Sequence, residues 1–268
     1  MIIREIKKQA VDISLLKKRT AFESDTKELI QKDCIITENG SPVIFYKTMR
    51  GEETADLKRA VKEIKYQAAT RTSGMRSFSA TFGYSPRRVL RGDFCRATVM
   101  AANFPRQHNI IAEFSNRISR FYEEYFPDTY KKHLQITEDK ILPEWRMGKS
   151  LFTSGIINKD NPLPYHHDGG NFKGVLSNMI AFKSGIKGGR LSCPEYNIKF
   201  ETDDNTILIF DGQKILHGVT PINKITPKAY RYTIVYYTLE QMWNCKTVKE
   251  ELVRIRQTKK KREFKRLL

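Results

Sequence analysis

The chain has 268 residues, 40% hydrophobic and 29% charged, which is long enough for one sizeable domain with appendages and too apolar for wholesale disorder. Lys and Arg number 48 against 30 Asp and Glu, and the resulting formal charge of +18 either attracts polyanions such as nucleic acid through counterion release or serves as solubilising surface charge. No apolar run approaches the roughly 20 residues of a membrane span, the N-terminus lacks a secretory core, and Cys34, Cys95, Cys193 and Cys245 form no C-x-x-C pair, so the expectation is an intracellular protein in a reducing compartment, with neither a zinc knuckle nor a disulfide framework.

In the first 65 residues, charged helical stretches surround a predicted hairpin. Cys34-Ile35-Ile36 and Val43-Ile44-Phe45-Tyr46 flank Glu38-Asn39-Gly40-Ser41-Pro42, and Asn-Gly is a strong turn signal. Leu57, Val61, Ile64 and Ala68 recur at helical spacing and predict an amphipathic helix over 56–68. From 71 to 106 the composition shifts to Gly, Ser, Pro, Arg and aromatics, which predicts an irregular, exposed segment. Ile111, Phe114, Ile118, Phe121, Tyr122 and Tyr125 form a second helical stripe, ended near Pro127.

Between Trp145 and Thr238 the pattern becomes strand-like, with short runs at 151–157, 176–182, 196–200, 206–210 and 230–238. Turns such as Asp160-Asn161-Pro162, Lys187-Gly188-Gly189 and Asp211-Gly212 separate them, and this rhythm predicts a closed or double-layered β architecture. Beyond Leu239, residues 248–268 read as a charged helix whose block Lys259-Lys260-Lys261-Arg262 suits a solvated face and a basic arm equally well. The organisation expected is an N-terminal α/β region over 1–140 that packs on the core, a β core over 141–240 and a basic helix over 241–268, together one integrated domain.

His166-His167-Asp168 closes a strand-like run just before Gly169-Gly170, and His217 follows another strand and turn about fifty residues later. Two imidazoles and one carboxylate make the facial triad of non-haem iron(II) oxygenases, which leaves positions open for an oxo acid and dioxygen. Residues two apart in an extended segment project to the same side, so His166 and Asp168 are the expected ligands with His217, and His167 turns away, toward substrate or an outer hydrogen-bond partner. Arg231 lies in the apolar run Ala229-Tyr230-Arg231-Tyr232-Thr233, where a cation needs a carboxylate partner; Thr233 shares its face and adds a hydroxyl. Taken singly these residues also read as ordinary core, surface or salt-bridged groups; their combination is what points to metal chemistry.

The order H-x-D, Gly188-Gly189-Arg190-Leu191, Phe210-Asp211-Gly212, His217-Gly218-Val219 and Arg231-Tyr232-Thr233 resembles the 2-oxoglutarate- and iron(II)-dependent dioxygenases over about 152–238. The resemblance implies an α+β protein: a double-stranded β-helix core of jelly-roll or cupin type, with N-terminal helices and hairpin and the C-terminal basic helix. It also implies Fe(II), 2-oxoglutarate and O2, with His166, Asp168, His217 and Arg231 catalytic. Arg231, Thr233 and Asn158 would bind the co-substrate, Asn158 fitting equally well as a structural turn amide. Within that superfamily several stretches look like the TET/JBP group of nucleobase hydroxylases and their viral and phage relatives. They are Phe152-Thr153-Ser154-Gly155-Ile156-Ile157-Asn158-Lys159, Cys193-Pro194-Glu195-Tyr196, Ile209-Phe210-Asp211-Gly212 and Tyr232-Thr233-Ile234-Val235-Tyr236-Tyr237, with Phe82-Gly83-Tyr84 and Pro86-Arg87 upstream. The Cys-rich zinc-binding region of animal TET enzymes is missing, so the substrate grip must be built differently.

This resemblance implies oxidation of the methyl group of 5-methylcytosine in DNA to 5-hydroxymethylcytosine or beyond. Thymine hydroxylation to 5-hydroxymethyluracil is the close alternative. A protein or small-molecule hydroxylase of the prolyl-hydroxylase type, or a nucleic-acid binder with an inactive barrel, are the other classes; the charge argues against the first and the complete triad against the second. A methyl group in stacked DNA must be flipped out or presented single-stranded. Arg71, Arg76, Arg87, Arg88, Arg91 and Arg96, interleaved with Phe78, Phe82, Tyr84 and Phe94, are the expected phosphate contacts and stacking faces, unless the segment is a surface loop covering the barrel. His167 and Asn171 are candidates to read the base edge. Methylated DNA is thus the expected partner, with no obligatory protein partner and no membrane, in a host cytoplasm for a phage protein or a nucleus for a eukaryotic one.

Overall fold

The run Tyr230–Tyr237 forms one long strand whose alternation builds two layers at once. Tyr232, Ile234 and Tyr236 enter the main hydrophobic core, while Arg231, Thr233, Val235 and Tyr237 line a cavity on the opposite face. The computed structural model describes residues 1–70, 76–87 and 94–267. In it this strand pairs antiparallel with Ser154–Lys159 on one side and Ser177–Ser184 on the other.

These three strands are the middle of a large sheet, which runs in spatial order Ile2–Glu5, Cys34–Glu38, Ser41–Thr48, Thr206–Phe210, Ser177–Ser184, Tyr230–Tyr237, Ser154–Lys159, Arg76–Ser85 and Gln67–Thr70, with Arg96–Ala97 added beside Arg76–Ser85. A smaller sheet orders Gly218–Val219, Leu191–Cys193, Ile198–Phe200 and Glu28–Ile30. The two pack face to face: Ile44, Met179 and Leu208 of the large sheet share a buried cluster with Leu191, Ile198, Phe200 and Val219 of the small one. Two opposed sheets around a cavity are the double-stranded β-helix that the motif order implied. Helices Gly51–Glu63 and Pro105–Tyr125 cover the outer face of the large sheet, burying Leu57, Val61, Ile111 and Ile118 against Phe45, Ile207 and Ile234. Ladders from Ser41–Thr48 to Thr206–Phe210 and from Arg76–Ser85 to Ser154–Lys159 join residues before 140 to residues after it.

The predicted hairpin is present as Cys34–Glu38 and Ser41–Thr48, with Asn39 and Gly40 both at positive φ in its turn. The first amphipathic helix lies earlier than predicted: it spans Gly51–Glu63, and Gln67–Thr70 is a strand, because Ala68 pairs with Phe78 rather than continuing the helical stripe. The expectation of an irregular, exposed segment after Arg71 is corrected in the described part. Arg76–Ser85 is a ten-residue strand, and Phe82 is fully buried against Tyr236 with ring centroids 5.2 Å apart. Its polar and aromatic residues alternate across the sheet, a period that the Arg and Gly content had masked. The expectation of no disulfide is also corrected: Cys95 and Cys245 are bonded across a sequence separation of 150, with Cα atoms 5.6 Å apart. They belong to a small cluster with Ile141, Trp145, Phe172, Val175 and Met242. Cys34 and Cys193 are buried free thiols. Among the described residues no helix is long and apolar enough to cross a membrane.

If Phe82 is a core residue, Phe82→Ala should lower unfolding free energy by about 3–5 kcal/mol in urea titrations, whereas a surface-loop residue would shift it by no more than ~0.5 kcal/mol.

Candidate active site

His166 and His217 meet as an antiparallel bridge between two loop segments, each donating its backbone N–H to the other's carbonyl, at 2.9 and 3.1 Å. Asp168 N donates to Gly212 O at 2.8 Å, so the backbone of the 211–217 segment clamps both ends of the H-x-D turn. The same segment is tied from outside by Leu216 N, which donates to the buried Glu195 carboxylate at 2.8 Å. The ring atoms are set by shorter-range geometry. His166 Nδ1 lies 2.8 Å from Pro164 O, and His217 Nδ1 lies 2.9 Å from Ile215 O. A carbonyl only accepts, so each Nδ1 carries the proton and each Nε2 presents its lone pair inward.

The Nε2 atoms of His166 and His217 stand 3.6 and 3.8 Å from Asp168 Oδ1, too far for hydrogen bonds. One ligand atom from each of the three residues lies within 4.8 Å of the others, and they are the metal-competent cluster among the described residues. Burial drives the His217 imidazolium pKa down to about 4, against the opposing pull of Asp168, so at neutral pH this ring is a neutral donor. The edge of Phe210 packs on it, with centroids 5.0 Å apart. Two imidazoles and one carboxylate on one side of an open cavity fit an iron(II) ion with free positions for other ligands. Gly212 makes the carboxylate position achievable: a Cβ there would come within 2.1 Å of Asp168 Oδ2 and 2.9 Å of its Cγ.

Arg231 occupies the closed end of the same cavity, which has a volume of about 280 Å³. Its side chain is 1% exposed, Nη2 donates to Thr202 Oγ1 at 3.2 Å, and Nε is a buried donor without a partner. Burial lowers the guanidinium pKa to about 10, opposed by Asp160 and Glu201, so it stays charged at neutral pH. Neither acid forms an ion pair with it. Asp160 Oδ1 takes the Arg231 backbone N–H at 2.7 Å, and Glu201 is engaged by Lys183 and by Arg190, the latter at 2.8 Å. Gly189, at positive φ, leaves room for the side chain, since a Cβ would stand 2.9 Å from Arg231 Cδ. A buried cation without an ion-paired carboxylate is costly alone and well suited to an incoming one.

Thr233 and Asn158 sit opposite each other in the ladder and both line the cavity near Arg231. Asn171 also lines it, its amide donating to Ser177 Oγ at 3.1 Å. His167 does not: it lies outside the lining, and its charged neighbours are Glu195, Lys17 and Lys8. The predicted nucleic-acid residues fare differently. Tyr84 is half-buried and makes an edge-to-face contact with Trp145 at 5.4 Å, and Arg87 pairs with the buried Glu251 at 2.9 Å. Phe82 is core. Arg71, Arg88 and Arg91 lie outside the described residues, as does the Arg76 side chain. Sequence reasoning missed Val235, Tyr237 and Leu239 in the cavity wall, although the first two follow from Arg231 at period two.

The family model for the oxygenase domain of the 2OGFeDO superfamily, Tet_JBP, matches residues 89–240, more than half of the chain. The bifunctional helicase and thymine dioxygenase JBP2 of Trypanosoma brucei brucei is 25% identical over 125 residues, covering 47% of this chain and 11% of that protein, so the chain spans about a tenth of its length. Among solved structures, NgTET1 in complex with 5mC DNA is similar with a TM-score of 0.61 at 15% identity, over 87% of this chain and 88% of that one. An oxidoreductase of the 2OG-Fe(II) oxygenase family from Burkholderia pseudomallei follows at TM-score 0.50 and 12% identity, over 73% of this chain and 85% of that one. At these identities the structural likeness speaks for the fold.

Gly212→Ala should push Asp168 out of place while barely altering the melting temperature. Affinity for Mn(II), used as an air-stable probe in calorimetry, should fall roughly 10–100-fold, and unchanged affinity would remove Gly212 from the argument.

Proposed function

The chain belongs to the Tet/JBP family of 2-oxoglutarate- and iron(II)-dependent oxygenase domains, and from that premise we propose that it oxidises the methyl group of 5-methylcytosine in DNA to 5-hydroxymethylcytosine. The observation that carries this reading is the single cavity with Arg231 at its closed end and His166, Asp168 and His217 on its wall. Arg231, with its orphaned Nε, would hold a carboxylate of 2-oxoglutarate, with Thr233 and Asn158 beside it. The two histidines and Asp168 would hold iron(II). When bound, the metal supplies oxidation by dioxygen coupled to decarboxylation of the co-substrate, one oxygen atom entering the methyl C–H bond and the other leaving in succinate.

The chain's own residues position the reactants and keep water out. Met179, Leu191, Val219 and Val235 make the middle of the cavity apolar, which favours an oxidised methyl group over solvent side reactions. His166 and Asp168 remain 31% and 30% exposed, marking the mouth, and Asn171, Tyr237 and Leu239 line the side of the cavity away from Arg231, where a flipped base enters. The net charge of +18 supports a polyanionic substrate. Thymine in DNA is a second reading, favoured by the match to a protein named as a thymine dioxygenase.

Incubation with iron(II), 2-oxoglutarate, ascorbate and DNA with or without 5-methylcytosine, followed by nucleoside mass spectrometry, should show 5-hydroxymethylcytosine. Appearance of 5-hydroxymethyluracil instead would establish the thymine reading, and succinate formation driven only by a peptide would sink both. His217→Ala and Asp168→Ala should each abolish turnover.

Arg231→Met should raise the KM for 2-oxoglutarate by about 10–100-fold, the loss of a charge-assisted hydrogen-bonded pair. An unchanged KM would place the co-substrate elsewhere.

A further inference from the structure

Of the two tryptophans, Trp145 is 4% exposed and Trp243 is 57% exposed. Trp243 lies in the short 3-10 turn Glu240–Asn244, directly after Leu239 of the cavity wall. Its mounting is rigid. Glu240 N donates to Gly170 O at 2.8 Å, Asn171 bridges to Leu239, Met242 is buried, and Cys245 is bonded to Cys95. The backbone that carries the indole is therefore anchored beside the loop that carries Asp168. It borders an open cleft of about 450 Å³ whose other walls are Asp139, Lys140, Phe172 and Glu240. Lys140 Nζ lies 5.5 Å from the centroid of the Phe172 ring.

A large exposed aromatic on a rigid support next to a site mouth is a binding feature more than a folding one, because the fold gains little from an uncovered indole. The surroundings select the occupant. Lys140 supplies positive charge at the cleft, and the chain continues from Trp243 into the helix Val248–Leu267, whose sequence carries nine Lys and Arg against three Glu. Residues 259–266 of that helix are all exposed. Asp139 and Glu240 disfavour phosphate inside the cleft itself and can accept hydrogen bonds from the amino groups of a base. Planar, N–H-bearing and attached to a polyanion describes a nucleotide of a single strand.

We propose that Trp243, with Lys140 in the adjoining cleft, is a stacking platform for an unpaired nucleobase next to the target nucleotide. This rests on the reading that the substrate is nucleic acid, but base stacking needs neither metal nor turnover. Both indoles emit fluorescence, but Trp145 is buried, so of the two only Trp243 is open to quenching by a stacked base.

Titration of the metal-free chain with a short unmethylated single-stranded oligonucleotide should quench that fluorescence. Inorganic polyphosphate of matched charge should bind without quenching. Trp243→Leu, checked for an unchanged melting temperature, should lose the quenching and weaken binding of a dye-labelled oligonucleotide by on the order of tenfold in anisotropy. Absence of quenching, equal quenching by polyphosphate, or unaltered affinity in Trp243→Leu would each overturn the platform. Quenching without any nucleoside oxidation would sink the hydroxylase reading and leave the platform standing; oxidation without quenching would do the reverse.

Discussion

A guanidinium buried to 1% exposure, with no carboxylate in ion-pair contact among the described residues, is the constraint around which this fold is arranged. Such a cation is tolerated only where its surroundings are polar, roomy and unable to collapse onto it. Thr202 supplies one acceptor, Gly189 supplies space, and Lys183 and Arg190 occupy the nearby Glu201 so that it does not close on Arg231. The strand that carries Arg231 also carries Tyr232, Ile234 and Tyr236 into the hydrophobic core. A slip of one residue would exchange the two faces, so the packing of the core is what keeps Arg231 and Thr233 turned toward the cavity.

The residues of the candidate metal-binding triad depend on a different device. They sit on two loops rather than on strands, and loops need cross-ties to be precise. The reciprocal His166–His217 backbone bonds, the Asp168–Gly212 bond and the Glu195 carboxylate provide these ties. Each histidine is then oriented by a carbonyl two residues before it, which sets the tautomer without recruiting a further side chain. The cluster around Cys95, Trp145, Phe172 and Cys245 extends this support outward, joining the loop after Asp168 to the root of the basic helix.

Period-two alternation made Arg231 and Thr233 legible as one face, and the H-x-D spacing with a distant His made the ligand set legible, because both patterns are properties of an extended backbone. The strands 206–210 and 230–237 were visible for the same reason. Arg76–Ser85 was not, since Arg, Ser and Gly lower the apparent strand signal while Phe82 contributes its burial only when Gly155 and Tyr236 lie beside it. The intramolecular partners of Tyr84 and Arg87 were equally illegible, because Trp145 and Glu251 arrive from elsewhere in the chain.

By itself, then, the sequence determined the chemistry: residue types and local spacings specify two imidazoles, a carboxylate and a strand-borne guanidinium. Only the tertiary structure decided which groups remain available to a ligand. Pairing of Cys95 with Cys245, engagement of Arg87 by Glu251 and exposure of Trp243 each involve partners brought together across long stretches of chain, or left without a cover. No local period encodes such contacts, because they arise from the closure of the sheets and the packing of loops upon them.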